Sequence, residues 1–279
     1  MQRELEFKLK HITLRGMGFG DSNKPMILAL HGWLDNAASF APLAPYLADY
    51  YVLAIDLAGH GLSDHRSPDA HYHLLDFVYD LHELVEIQGW QRFVLMGHSL
   101  GAIIASLYAS SFTERVDRLI CIEALGPLTK SATTSASQLR ESILNRLNLS
   151  TSPSTRPKTI ARVINARAFV GELSVSSAEL LVRRNTSERD GQLFYRTDRR
   201  LRTVSALRMT EEQARAFVSS IVCPVLLITG DKGFETFASE IKDRMTRLDL
   251  GQHVCCSGNH HVHMDNPTDV ALKVVNFLE

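Results

Sequence analysis

Arg92-Phe93-Val94-Leu95-Met96-Gly97-His98-Ser99-Leu100-Gly101-Ala102-Ile103-Ile104-Ala105 reads as three elements joined without a gap. Phe93 to Met96 is a short apolar run of strand character, Gly97 to Gly101 has the form Gly-x-Ser-x-Gly, and small and aliphatic residues at helical spacing follow at once. A serine on so sharp a strand-to-helix turn needs small neighbours on both sides, which Gly97 and Gly101 supply. The turn pushes the serine hydroxyl out beyond the strand end. The helix N-terminus behind it favours negative charge that develops there. Ser99 is therefore expected to be a nucleophile, and the alternative for it is an ordinary cap on the helix that starts at Leu100.

Similar apolar runs recur along the chain. Met26 to Leu30, Tyr51 to Ile55, Leu119 to Ile122 and Val225 to Thr229 read as strands buried on both faces, with His253 to Cys256 as a last strand. Residues 3–19 alternate polar and apolar before Gly20, which predicts an antiparallel hairpin at a sheet edge. Between the runs lies helical periodicity, over residues 73–88 and in a C-terminal helix beginning near Pro267. Alternating strands and helices imply an α/β fold with a mostly parallel, doubly wound sheet.

That rhythm stops between about 127 and 220. Pro127 opens the break, Ser/Thr-rich stretches follow (131–137 and 150–155), and helical patterns such as Leu139-Ile143-Leu147 and Ala178-Leu181-Val182 dominate. The reading is a core of residues 1–126 and 221–279, with a helical lid of residues 127–220 inserted after the sixth strand. The insertion carries 16 Lys/Arg against 8 Asp/Glu, a net of +8, while the remainder carries −9. This asymmetry is either a basic face touching an acidic core or a lid that draws in anionic substrates.

The bulk numbers narrow the classes. At 279 residues, 45% hydrophobic content and a net charge of −1, the chain can bury one large core and gives no electrostatic case for nucleic acid. No apolar run reaches the roughly 18 residues of a membrane span. Its first residues lack the apolar core of a signal peptide, so cytoplasmic residence is expected. Cys121, Cys223, Cys255 and Cys256 read as buried thiols in a reducing compartment, without the spacing of a disulfide frame or a zinc site.

A serine nucleophile needs a base, almost always histidine. Gly258-Asn259-His260-His261-Val262-His263 follows the last strand, on the same sheet edge as the elbow. His260 is nearest the strand end and is preferred, with His261 and His263 as the alternatives. An oxyanion needs aimed N–H donors. Leu100 offers one at the helix start. His31-Gly32-Trp33-Leu34, after the strand ending at Leu30, should offer another through the Trp33 N–H. Trp33 and His98 are expected to border the substrate.

Taken together, His31-Gly32-Trp33, Asp56-Leu57-Ala58-Gly59-His60-Gly61-Leu62-Ser63, Gly97-His98-Ser99-Leu100-Gly101 and Gly258-Asn259-His260 resemble the α/β-hydrolase superfamily. The stretches 30–40 and 123–127 bring the chain close to its serine-hydrolase-like members. The resemblance implies Ser99 as nucleophile, His260 as base, and Trp33 and Leu100 as oxyanion donors. It makes residues 56–61 a structural turn, with His60 a candidate pocket residue. The family usually draws its acid from a Gly-x-x-Asp loop, but here that loop reads Gly230-Asp231-Lys232-Gly233. Some relatives place the acid 24 residues after the nucleophile, which is Glu123. The expectation is Glu123, with Asp231 as the alternative. The implied activity is hydrolysis of a carboxylic ester or similar small acyl compound, with no cofactor or metal. Carbon–carbon bond hydrolysis, cofactor-free perhydrolysis, acyl transfer or a non-catalytic receptor remain alternatives on the same fold.

Overall fold

The computed structural model describes residues 2–151, 157, 159–233 and 238–279. An eight-stranded sheet runs through them in the order β1-β2-β4-β3-β5-β6-β9-β10. Its strands are β1 (Gln2–Lys8), β2 (Thr13–Phe19), β3 (Met26–Leu30), β4 (Tyr51–Asp56), β5 (Phe93–His98), β6 (Val116–Ile122), β9 (Val225–Gly230) and β10 (Gly251–Cys256). β1 and β2 form the expected antiparallel edge hairpin, and β2 also runs antiparallel to β4. The other pairings, β4 with β3, β3 with β5, β5 with β6, β6 with β9 and β9 with β10, are parallel.

The apolar strands have no polar face because the sheet is covered on both sides. On one side, α1 (Leu74–Gln88), α2 (Leu100–Ser111) and α6 (Glu211–Ser219) bury Phe77, Leu81, Leu84, Ile104, Tyr108 and Val218 against Leu28, Leu53, Leu95, Leu119 and Leu227. On the other, α8 (Pro267–Leu278) sets Val270, Val274 and Phe277 against Ile27, Met96, Ile120 and Ile228. α2 is buried nearly all round, which is why its sequence is so apolar. α7 (Ala238–Met245) links β9 to β10.

Between β6 and β9 come α3 (Ser135–Thr151), α4 (Ile160–Gly171), α5 (Val175–Asn185), a small antiparallel hairpin of β7 (Thr186–Arg189) and β8 (Gln192–Tyr195), and then α6. Most of the Ser/Thr-rich stretch 150–155 lies outside the described residues. α4 and α5 bury Ile164, Ala168, Leu181 and Val182 in a cluster of their own that includes Met264. Leu139, Ile143 and Leu147, whose spacing marks α3, are exposed. α6 lies inside the range expected for the insertion, yet it packs on α2 and adds Val218 to the core beside the sheet.

The segment's positive charge meets acidic groups of the sheet body. Arg184 binds Asp56 and Glu4, and Arg167 binds Asp35. Three of the four cysteines are buried as expected, but Cys255 is exposed: β10 is the last strand of the sheet, and alternate residues on that edge face solvent. No helix among the described residues is long and apolar enough to cross a membrane.

Candidate active site

Five neighbouring strands, β3, β5, β6, β9 and β10, deliver the site. β5 ends at His98 and α2 begins at Leu100, so Ser99 alone makes the turn, at φ 50° and ψ −114°. A non-glycine residue at this φ is strained and persists only where its surroundings impose it. The surroundings here are tight. A Cβ on Gly97 would strike the Gly101 backbone, and one on Gly101 would strike the carbonyl of Leu30. The Ser99 N–H donates to the Ile122 carbonyl at 2.8 Å, and its own carbonyl accepts the Ile103 N–H at 3.0 Å.

The adjacent strand repeats the device. His98 pairs with Ile122, and the next residue, Glu123, also adopts a positive φ of 67°. Its N–H donates to the Ile228 carbonyl on β9 at 2.9 Å. The side chain is buried, accepts the Gly230 N–H through Oε1, and accepts from His260 Nδ1 at 3.0 Å through Oε2. His260 lies in the loop after β10. That bond fixes its Nδ1–H tautomer and leaves Nε2 as the basic nitrogen. A Cβ at Gly233, where the family pattern would place an acid, would strike the Glu123 carboxylate. The missing side chain at 233 is thus the space that Glu123 occupies.

Asp231, the alternative acid, is exposed and otherwise engaged. It accepts the Gly258 N–H at 2.8 Å and the Ser257 hydroxyl at 3.3 Å, and the first of these bonds holds its pKa below the usual carboxylate value. It braces the loop that leads to His260.

The loop after β3 turns at Gly32-Trp33-Leu34-Asp35, closed by the Asp35 N–H on the Gly32 carbonyl at 3.1 Å, with Leu34 at φ 63°. Among the described residues no acceptor pairs with the Trp33 N–H. Leu100 is the first residue of α2, so its N–H has no acceptor within the helix. The Trp33 ring is half exposed, and its Nε1–H donates to the Leu201 carbonyl at 2.9 Å, tying the loop to the segment between β6 and β9.

Two expected positions differ. His98 does not border a substrate space. It is fully buried, and its Nε2–H donates to the His260 carbonyl at 2.9 Å. Burial, and then the neighbouring His263, His260 and His261, hold its pKa well below the usual value, so it is neutral. His60 is likewise enclosed, in contact with His31 and Phe77, and burial lowers its pKa to about 3. His98 ends β5 and His60 lies shortly after the end of β4, and both are fully buried. Of the other loop histidines, His263 pairs with Ser39 Oγ at 2.6 Å and His261 Nε2 with Asp35 Oδ2 at 3.1 Å.

Sequence reading passed over Asp35, Asn36 and Arg167. Asn36 caps the short turn after it and donates to the Leu181 carbonyl in α5 at 2.9 Å, while Arg167 of α4 reaches Asp35 Oδ1 at 2.5 Å. An acid and an amide directly after a buried strand were the available signal. Asp35, His98 and His261 bring possible ligand atoms within 4.8 Å of one another. Arg167 Nη2, however, stands 3.1 Å from the His261 nitrogen. A guanidinium in that position disfavours a cation, so the group reads as a closed ion network.

The comparisons agree with this architecture. A family model described as alpha/beta hydrolase fold matches residues 25–248. The chain belongs to the α/β-hydrolase family. Within it, the chain is 34% identical over 284 residues to a probable serine hydrolase of Drosophila melanogaster, covering 96% of this chain and 85% of that one. It is 30% identical to serine hydrolase-like protein 2 of Homo sapiens, over 99% of this chain and 94% of the relative. This α/β hydrolase also resembles the crystal structure of a hypothetical protein of Pseudomonas aeruginosa PAO1, with a TM-score of 0.92, 37% identity and 99% of both chains covered. A thioesterase domain from the curacin biosynthetic pathway shares the fold at a TM-score of 0.86 and 24% identity, over 99% of each chain.

Proposed function

We propose that this hydrolase cleaves a carboxylic ester or similar small acyl compound through an acyl-enzyme on Ser99, with His260 as base and Glu123 as acid. The observation that carries the reading is the 3.0 Å bond between the buried Glu123 carboxylate and His260 Nδ1. Position alone supports Ser99, but the carboxylate–imidazole pair beside the elbow gives its hydroxyl a base of defined tautomer.

In this reading the Ser99 oxygen attacks the substrate carbonyl carbon while its proton passes to His260 Nε2. Glu123 stabilises the imidazolium that results. The carbonyl oxygen becomes an oxyanion and takes hydrogen bonds from the N–H groups of Trp33 and Leu100, each worth about 10²- to 10³-fold in rate. Collapse breaks the bond to the leaving alcohol, which takes the proton from His260. Water then attacks the acyl-enzyme, giving its proton to His260, and the acid is released as the proton returns to Ser99.

Residues 127–220 are proposed as the cap over this centre. Because α6 packs with the sheet body, the covering part ends near Thr210. The indole of Trp33, tied to Leu201, would border the acyl group. The four free thiols support a reducing, cytoplasmic setting.

A fluorophosphonate probe and p-nitrophenyl esters of graded chain length test the reading. The probe should label Ser99, and Ser99→Ala should abolish both labelling and turnover. A wild-type protein that takes no label and turns over no ester would leave a receptor on this fold. Turnover retained by Ser99→Ala would overturn the nucleophile.

A further inference from the structure

Behind the triad lies a second, largely buried group of charges that the mechanism above does not use. At its centre is the Asp35 carboxylate, 1% exposed. Oδ2 accepts from His261 Nε2 at 3.1 Å and stands 3.7 Å from His98 Nδ1. Oδ1 accepts from Arg167 at 2.5 Å. Each contact comes from a different part of the chain. Asp35 lies in the Trp33 loop, His98 immediately precedes Ser99, His261 immediately follows His260, and Arg167 belongs to α4.

We infer that Asp35 is a positioning residue for the reaction, holding the Trp33 loop and the His260 loop at one spacing around Ser99, with Arg167 as its counter-charge. The inference rests on the proposed serine mechanism.

Three observations support it. First, His260 is held from both sides: Glu123 takes its ring, and His98 takes its backbone carbonyl. As a neutral ring that donates there from Nε2, His98 carries no proton on Nδ1, and that nitrogen has no hydrogen-bond partner among the described residues. A carboxylate facing it would otherwise invite a proton; burial and the three neighbouring histidines oppose one. Secondly, Gly32 leaves room for the meeting. A Cβ there would come within 2.9 Å of His98 Nδ1 and 3.0 Å of Asp35 Oδ2, wedging the loop away from the elbow. Thirdly, Asp35 is ionised despite its burial. Burial would raise its pKa, but His261 and Arg167 outweigh it and bring it well below the usual carboxylate value.

A misplacement of about 1 Å in catalytic groups can cost on the order of 10²-fold in rate. Asp35→Asn keeps the shape of the side chain and removes its charge. It should lower kcat of a p-nitrophenyl ester by that order with KM little changed, and slow fluorophosphonate labelling of Ser99 in parallel. It should also move the acidic limb of the kcat/KM pH profile to lower pH. With the negative charge gone and Arg167 left uncompensated, imidazolium formation at His260 becomes harder. The charged and titratable groups that bear on His260 are Glu123, His98, His261 and His263, with Asp35 and Arg167 behind them, and Asp35→Asn leaves the Glu123 contact in place. A filler of the same volume with no role in the reaction would leave that limb in place.

Arg167 offers an independent arm should Asp35→Asn fail to fold, because it is partly exposed and comes from α4. Arg167→Met should depress kcat, and Arg167→Lys should restore part of it. Wild-type kcat and an unmoved acidic limb in Asp35→Asn, or full activity in Arg167→Met when Asp35→Asn is unfolded, would overturn the inference. Failure of the wild-type protein to label at Ser99 would instead overturn the serine mechanism beneath it, so the two failures are distinguishable.

Discussion

Glu123 and Gly233 are best understood as a single exchange. In the Gly-x-x-Asp form of the loop, a carboxylate would arise from the residue after β9. In this chain it arises from the residue after β6, and the vacated position carries no side chain because the incoming carboxylate fills that space. The distance of 24 residues from Ser99 made Glu123 legible in the sequence, through resemblance. The reason for glycine at 233 was not legible, because it is a steric fact between residues 110 positions apart. If Glu123 orients His260, Glu123→Gln should lower kcat by about 10³- to 10⁴-fold, as loss of the acid does in other triads. Asp231→Asn should leave kcat near wild type, since Asp231 bonds to Gly258 and Ser257 and not to the imidazole. The reverse order in steady-state kinetics would restore the usual acid loop. The exchange can also be run backwards. Glu123→Gly is compatible with the φ of 67° at that position and frees the space beside residue 233. The double variant Glu123→Gly/Gly233→Asp should therefore recover activity over Glu123→Gly alone, whereas Gly233→Asp by itself should lose activity through the clash. No recovery in the double variant would mean that the space does not serve both acids.

At the scale of elements, buried runs declared themselves and surface pieces did not. Every strand of the large sheet coincides with an apolar run or with the alternating N-terminal stretch, and the central ones, buried on both faces, carry few polar residues to blur the signal. The β7–β8 hairpin was missed. Its strands are four residues each and mostly polar, although Asp190-Gly191 between them, with φ of 50° and 69°, is a common hairpin turn. The helices α4 and α5 were visible only as broken periodicity, since their apolar contacts form a small cluster of their own and ion pairs to the sheet body add to what positions them. Arg184 at the end of α5 binds Asp56, which is wholly buried and also accepts the Ala37 and Leu62 N–H groups at 2.7 and 2.9 Å. Removing one partner of such a buried pair strands a charge, at a cost of about 3–5 kcal/mol. Arg184→Met should lower the unfolding free energy by about that amount in urea titrations. The outer bond of the same guanidinium ends on Glu4, which is about half exposed, so Glu4→Gln should cost below about 1 kcal/mol. Equal effects of the two variants would show that α5 is held at the surface and not through Asp56.

For the molecule as a whole, the unusual quantity is the number of histidines held neutral at the crossing of the strand ends. His31, His60, His98 and His263 are fully buried. Burial is the largest cause of the lowered pKa of each, to about 4 for His31 and about 3 for His60 and His263, and well below the usual value for His98. In the unfolded chain all four return to about 6.5. Between pH 6.5 and about 4 the unfolded state therefore binds more protons than the folded one, and stability must fall as pH falls. The contribution is fully present above about pH 6.5 and is lost progressively towards the folded values. Each histidine adds roughly 1.4 kcal/mol per pH unit within that window. Four together can exhaust the 5–15 kcal/mol of a typical domain within about one to three units. Urea titrations at pH 7, 6 and 5 should accordingly show a steepening loss of stability and acid unfolding between about pH 5 and 4. His60→Phe provides the control, because the His60 Nε2 has no partner among the described residues and its ring already lies against Phe77. That variant should reduce proton uptake on unfolding by about one at pH 5 while changing stability at pH 7 far less. A stability that stays level from pH 7 to 5 would mean that these imidazoles admit protons without unfolding, and with that the view of the strand-end crossing as a dry, neutral floor beside Ser99 and His260 would fall.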